Sequence, residues 1–248
     1  MSAAVNESLR RRWDSSVSRL VASELHAQEA AASERWLGRV ASLHSGPGRA
    51  YHNLDHVADV LAALDALVPP SLGDDGRAAL DLAAFFHDAV YDPRSSTNEG
   101  DSAGLFAEFV ADLLGRTDGG GASDIPRTVR GIILATASHA ASAASAASSG
   151  DALTCAFLDA DMSVLGRDPA RYDEYAGQIR AEYSFVERGT YCARRAEVLG
   201  SFLPDGDGDG GRHIYATARG RDMWEGRARA NLRREIDMLD RGIIPREG

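Results

Sequence analysis

Apolar residues recur at helical spacing along almost the whole chain. Over residues 8–43 they fall at Leu9, Trp13, Val17, Leu20 and Val21, then at Trp36, Leu37 and Val40, which predicts two helices joined near residues 29–33. Trp13 and Trp36 are expected in the core, while His26 and His44 read as surface or loop histidines. A turn at residues 46–48 leads into a helix reaching about Val68, with Asn53 or Asp55 as its cap. After the loop at residues 69–76, a helix is predicted over 77–90. Its end is a buried-type run, Ala83-Ala84-Phe85-Phe86, followed by His87-Asp88, and Asp92-Pro93 enforces a stop because the residue before proline is pushed out of helical geometry.

Further helices are expected over residues 101–114, capped by Thr97 or Asn98, and over 125–138, ending at His139. The stretch 152–166 is apolar enough to be buried. A helix carrying Tyr172, Tyr175, Ile179, Tyr183 and Val186 follows, then one over 190–203 and one over 222–239. No period-two alternation runs longer than about four residues, so the predicted fold class is all-α, a helical bundle with loop insertions.

The chain of 248 residues, 44% hydrophobic, suits one domain over its full length, with flexible insertions near residues 116–124, 140–150 and 204–212. The net charge of −10 argues against a nucleic-acid polymer or a membrane surface as partner. Every basic side chain apart from histidine is an arginine, whose planar fork suits phosphate and carboxylate. Two cysteines, Cys155 and Cys192, make no disulfide framework. With neither a basic-then-apolar leader nor a run approaching about 18 apolar residues, a soluble cytoplasmic protein is expected. A homodimer is left open.

Candidate chemistry is concentrated in a few places. His87 and Asp88 are adjacent, so they reach one ion only near a helix end. His52 and His56 are four apart. Asp159 and Asp161 lie in an apolar stretch, and buried acids are costly unless paired or metal-bound. Residues 204–210 begin like a calcium loop, but Ala216 stands where the bidentate Glu belongs, so an acidic surface loop is preferred.

Read in order, His56, then His87-Asp88, then a distal acid in Phe157-Leu158-Asp159-Ala160-Asp161 resemble the ligand series of the HD superfamily of metal-dependent phosphohydrolases. The chain is similar to one branch, the predicted HD phosphohydrolases of about 200 residues. Further carriers of the likeness are Arg49-Ala50-Tyr51-His52-Asn53, Asn98-Glu99-Gly100-Asp101-Ser102-Ala103, Thr136 with His139, Ile179-Arg180-Ala181-Glu182-Tyr183, and Arg195 with Val198-Leu199.

The resemblance implies metal ligation by His56, His87, Asp88 and Asp161, with Asp159 as the alternative fourth ligand. The ion would be divalent, Mn²⁺, Fe²⁺, Co²⁺, Zn²⁺ or Mg²⁺, one per chain. Asp88 and Glu99 are the expected catalytic groups, and Arg49, His52, His139, Arg180 and Arg195 the expected contacts to substrate. A structural role stands beside each: a helix N-terminal acid for Glu99, an ion-pair partner for the arginines, a hydrogen-bonded histidine for His139. The expected activity is water attack on a small phosphorylated metabolite, a nucleotide or pyrophosphate compound. Two other classes are a non-catalytic regulatory domain that keeps the cage and a diiron oxygenase on the same scaffold, the latter needing two metals.

Overall fold

The computed structural model describes residues 7–21, 25–69, 71–115, 124–203 and 213–246, and all regular structure among them is helical. The chain divides into two compact units, Met1–His139 and Ala140–Gly248, where length alone predicts one domain.

The first unit holds α1 (Glu7–Val21), α2 (Ala27–His44), α3 (Leu54–Leu67), α4 (Asp74–Phe86), α5 (Asn98–Leu114) and α6 (Ile125–Ala135), with a 3₁₀ turn at Thr136–Ser138. α2 begins before the join expected at 29–33. The backbone N–H of His26 donates to Glu29 Oε2 at 2.7 Å, a first-turn cap that fixes the start, and the alanines around Glu29 favour helix. α4 is the central element, packing against α1, α3, α5 and α6. Its Phe85 and Phe86 are buried with Trp13 and Phe109, and the Trp13 ring lies 5.3, 5.9 and 5.2 Å from those of Phe85, Phe86 and Phe109. Each such ring contributes about 1.5–3 kcal/mol by leaving water. α1 is tied to α4 by Arg12, whose Nε and Nη2 donate to the two oxygens of buried Asp81 at 2.8 and 2.6 Å.

α4 stops at Phe86 rather than running on to Val90. His87 is its C-cap, and the Ala89 N–H closes a tight turn onto Phe86 O at 3.1 Å. The His-Asp pair therefore sits just past the end of a rigid, fully packed helix.

In the second unit, α7 (His139–Ser149) enters from its first residue at the boundary. The stretch expected to be a flexible insertion is helical because alanine, the best helix former, dominates it. α8 (Ala152–Asp161) is capped by Asp151, which accepts from Thr154 N at 3.0 Å. A 3₁₀ turn at Met162–Gly166 leads to α9 (Pro169–Glu182), α10 (Arg188–Phe202), the short α11 (Ala218–Gly220), a π turn at Arg221–Glu225 and α12 (Gly226–Leu239). Phe157, Tyr172, Tyr215 and Leu232 form its buried centre. The insertions expected near 116–124 and 204–212, including the calcium-like run, fall almost wholly outside the described residues. Among the described residues no helix is long and apolar enough to cross a membrane.

Candidate metal centre

Asn53 caps α3, its Oδ1 accepting from the N–H of Asp55 at 2.8 Å and of His56 at 3.3 Å. That cap fixes His56 in the first turn of the helix. It also places His52 ahead of the helix, so the two histidines do not share a helical face as their spacing allowed.

His56 and His87 are buried, at 2% and 1% exposure. Their Nε2 atoms stand 3.1 Å apart, Asp88 Oδ2 lies 3.0 Å from His87 Nε2, and it lies 3.6 Å from His56 Nε2. Ligand atoms about 2.1 Å from an ion and about 90–120° apart are separated by about 3.0–3.6 Å, so this triangle matches three positions of one coordination sphere. The tautomer agrees with that use. His87 Nδ1 faces Ala84 O at 3.1 Å, so Nδ1 carries the hydrogen and Nε2 presents its lone pair. The site also lies at the C-terminal end of α4, where the helix dipole favours a cation.

Arg49 does not stand open for a phosphate. Its Nη1 donates to His52 O at 2.8 Å and Asp88 O at 2.7 Å, and its Nη2 donates to Ala89 O at 2.8 Å. The guanidinium thus pins the turn that carries Asp88 to the loop that precedes α3, and it passes 5.5 Å over the Tyr91 ring. His52 stacks on Tyr91 at 4.2 Å between ring centres, and its ring lies 5.8 Å from that of His56. Tyr51 covers His56 at 4.7 Å. The aromatic wall of Tyr51 and Tyr91 beside the two histidines was not assigned from sequence, although Tyr51 lies inside a segment that carries the resemblance and Tyr91 follows Asp88 by three residues.

Glu99 is half-buried in the first turn of α5. Next to it, Asn98 accepts from Asp92 N at 3.0 Å and donates to Asp92 O at 2.9 Å, fastening the loop after the His-Asp pair to α5. His139 is half-buried at the last position of the first unit.

The two distal acids differ sharply in their own unit. Asp159 is buried, and its oxygens accept from Ala216 N at 2.6 Å, Thr217 N at 2.8 Å and Thr217 Oγ1 at 2.6 Å. Burial raises its pKa while those donors oppose the shift. Gly220 meets it so closely that a Cβ there would lie 2.4 Å from Asp159 Oδ2. Asp159 is therefore a latch on the chain leading into α11. Asp161, half-buried, is the last residue of α8.

The two remaining arginines are held by protein groups. Arg180 Nη1 donates to Tyr183 O and Val186 O, both at 3.0 Å, closing the turn after α9. Arg195 Nε donates to Glu235 Oε1 at 3.0 Å, and Tyr172 Oη donates to Glu235 Oε2. No protein-family model, curated protein or solved structure matches the chain.

Proposed function

We propose that the chain is a metal-dependent phosphohydrolase of the HD type, acting on a small phosphorylated metabolite. The observation that carries this reading is the triangle of His56 Nε2, His87 Nε2 and Asp88 Oδ2. Two imidazoles and a carboxylate favour Mn²⁺, Fe²⁺, Co²⁺ or Zn²⁺ over Mg²⁺, which prefers an all-oxygen sphere. Asp161 is the fourth ligand in this proposal, taken from the order of ligand types along the chain, and Asp159 gives up that role to its three hydrogen bonds.

A divalent ion bound there would supply hydroxide near neutral pH and offset charge on the phosphoryl oxygens. His87 holds its hydrogen on Nδ1, so its Nε2 stays a ligand rather than a proton donor. His52 is the side chain proposed to place a proton near the leaving oxygen, its ring fixed by Tyr91. Arg49 serves as a positioning residue, since it bonds to the carbonyls of the ligand turn.

The test is a panel of nucleotides and pyrophosphate compounds assayed for phosphate release with Mn²⁺, for the parent chain and His87→Ala. Turnover by the parent, lost in the variant and in excess chelator, supports the proposal. A folded parent that binds Mn²⁺ and a nucleotide but releases no phosphate favours the regulatory reading, and about two metal ions per chain favours an oxygenase.

A further inference from the structure

The second unit contains a cavity of about 300 Å³. Ile179, Tyr183 and Val186 line one side, and Tyr191, Arg195 and Val198 of α10 line the other. Its size is at the lower end of the about 300–1,000 Å³ typical of ligand pockets. The walls are chiefly hydrocarbon, but two lining residues bring polar atoms with nothing to bond. Tyr191 Oη and Arg195 Nη2 are both buried without a hydrogen-bond partner among the described residues.

The rest of the local network explains why. Arg195 spends Nε on Glu235 Oε1, and the other Glu235 oxygen is taken by the Tyr172 hydroxyl. Each Glu235 oxygen thus already accepts one hydrogen bond, and Nη2 bonds to neither. Tyr191 is 4% exposed, and the Arg180 guanidinium lies 4.9 Å over its ring, so its hydroxyl is cut off from solvent as well. Burial raises the pKa of the phenol, which keeps its proton; burial opposes the Arg195 charge, but Tyr175 and Glu235 beside it outweigh that and hold the guanidinium charged. Both groups are donors. A buried donor without an acceptor is costly, and an occupant that brings acceptors removes that cost.

We propose that this cavity binds a small carboxylate with an apolar body. One carboxylate oxygen accepts from Arg195 Nη2 and the other from Tyr191 Oη, while the hydrocarbon part lies against Ile179, Val186 and Val198. A monoanion fits better than a phosphate dianion, because Arg195 is already half-compensated by Glu235 and the remaining wall is apolar. Arg194, also on the wall, is paired at the surface with Glu197 at 3.2 Å. The site requires none of the three atoms of the proposed metal centre.

The experiment is calorimetric titration of the full chain with octanoate in buffer containing chelator, so the hydrolytic proposal does not enter the outcome. Saturable one-to-one binding is expected, with octanamide, of the same length but neutral, at least about tenfold weaker. Tyr191→Phe, which removes only the hydroxyl, should weaken octanoate about tenfold. Val198 is 50% exposed, so Val198→Glu should fold with an unchanged melting temperature and lose octanoate binding, because the alkyl chain would have to desolvate the new carboxylate. The proposal is overturned by no saturable heat up to roughly 10 mM octanoate. It is equally overturned if octanamide, inorganic phosphate or the two variants give the same affinity as octanoate with the parent chain.

Discussion

Arg49 Nη1 donates to the main-chain oxygen of Asp88 at 2.7 Å, so the residue whose carboxylate faces His56 and His87 is held from 39 positions earlier in the chain. The same nitrogen reaches His52 O at 2.8 Å, and Nη2 reaches Ala89 O at 2.8 Å. Three carbonyls that lie outside any helix ladder find their donor in one side chain. Outer groups of this kind typically govern metal affinity by about 10–100-fold. Arg49→Met should weaken Mn²⁺ binding in that range, and Arg49→Lys, which keeps the charge but gathers its donors on one nitrogen without the fork, should fall between. Calorimetric Mn²⁺ titration checks it. Arg49→Met binding as tightly as the parent would show that the turn holds its own shape.

Asp159 and Asp161 are expected to separate cleanly on substitution. On the proposed ligand set, Asp161→Ala should lower Mn²⁺ affinity at least about a hundredfold, since losing a ligand costs more than losing an outer partner. Its melting temperature in chelator should stay near that of the parent. Asp159→Ala strands the N–H groups of Ala216 and Thr217 and the Thr217 hydroxyl, each bonded to it at 2.8 Å or less. A buried donor left unsatisfied costs about 1–3 kcal/mol, so this variant should melt several degrees lower with chelator present. The reverse pattern would move the ligand role to Asp159.

How much of this could be read from the chain depends on the range of each interaction. Most helices followed from apolar spacing, α7 being missed because its alanine and serine carry no apolar stripe, and Trp13 and Trp36 are buried as that spacing requires. The start of α2 was misplaced because its signal is a single acid, Glu29, closing onto His26, which an alanine-rich stretch hides. The pairing of His87 with Asp88 was legible because the two are adjacent in the chain, and their order after His56 came from the resemblance; the structure brings the three side chains together. The arginine partners were not legible. Arg12 with Asp81 and Arg195 with Glu235 are separated by 69 and 40 residues, and sequence shows a guanidinium without showing whether a carbonyl, a carboxylate or a ligand lies nearest. For Arg49, Arg180 and Arg195 a substrate contact and a structural role therefore stood side by side, and each bonds to protein groups.

Gly166 sets how closely α12's approach can pack on the 3₁₀ turn. A Cβ at this position would lie 2.4 Å from Trp224 Cβ and 2.9 Å from its Cα. Backbone cannot rotate away as a side-chain tip does, so Gly166→Ala should cost about 1–3 kcal/mol or more through overpacking. At about 2–4 °C per kcal/mol for a chain of this size, a melting temperature lower by several degrees is expected. Gly100→Ala, with open space around the added methyl, is the control and should melt near the parent. Equal melting temperatures for both variants would mean that the turn and Trp224 separate without cost.

His44 makes stability depend on acid in a defined window. It is fully buried on α2 with Nε2 bonded to Phe85 O at 3.0 Å, and burial pushes its pKa down to about 3. In the unfolded chain an imidazole titrates near about 6.5. Between those values the unfolded state takes up a proton that the folded state refuses, so the folded state loses stability as pH falls through about 6.5 toward 3, by about 1.4 kcal/mol per unit. Above that window His44 is neutral in both states and contributes no slope. His44→Gln retains a donor for Phe85 O and removes the titration. Denaturant midpoints in chelator at pH 6.5 and pH 4.5 should therefore show the parent losing about 2–3 kcal/mol more than the variant over those two units. Parallel profiles would mean that the folded chain accepts the proton on His44, by opening the end of α2 away from α4.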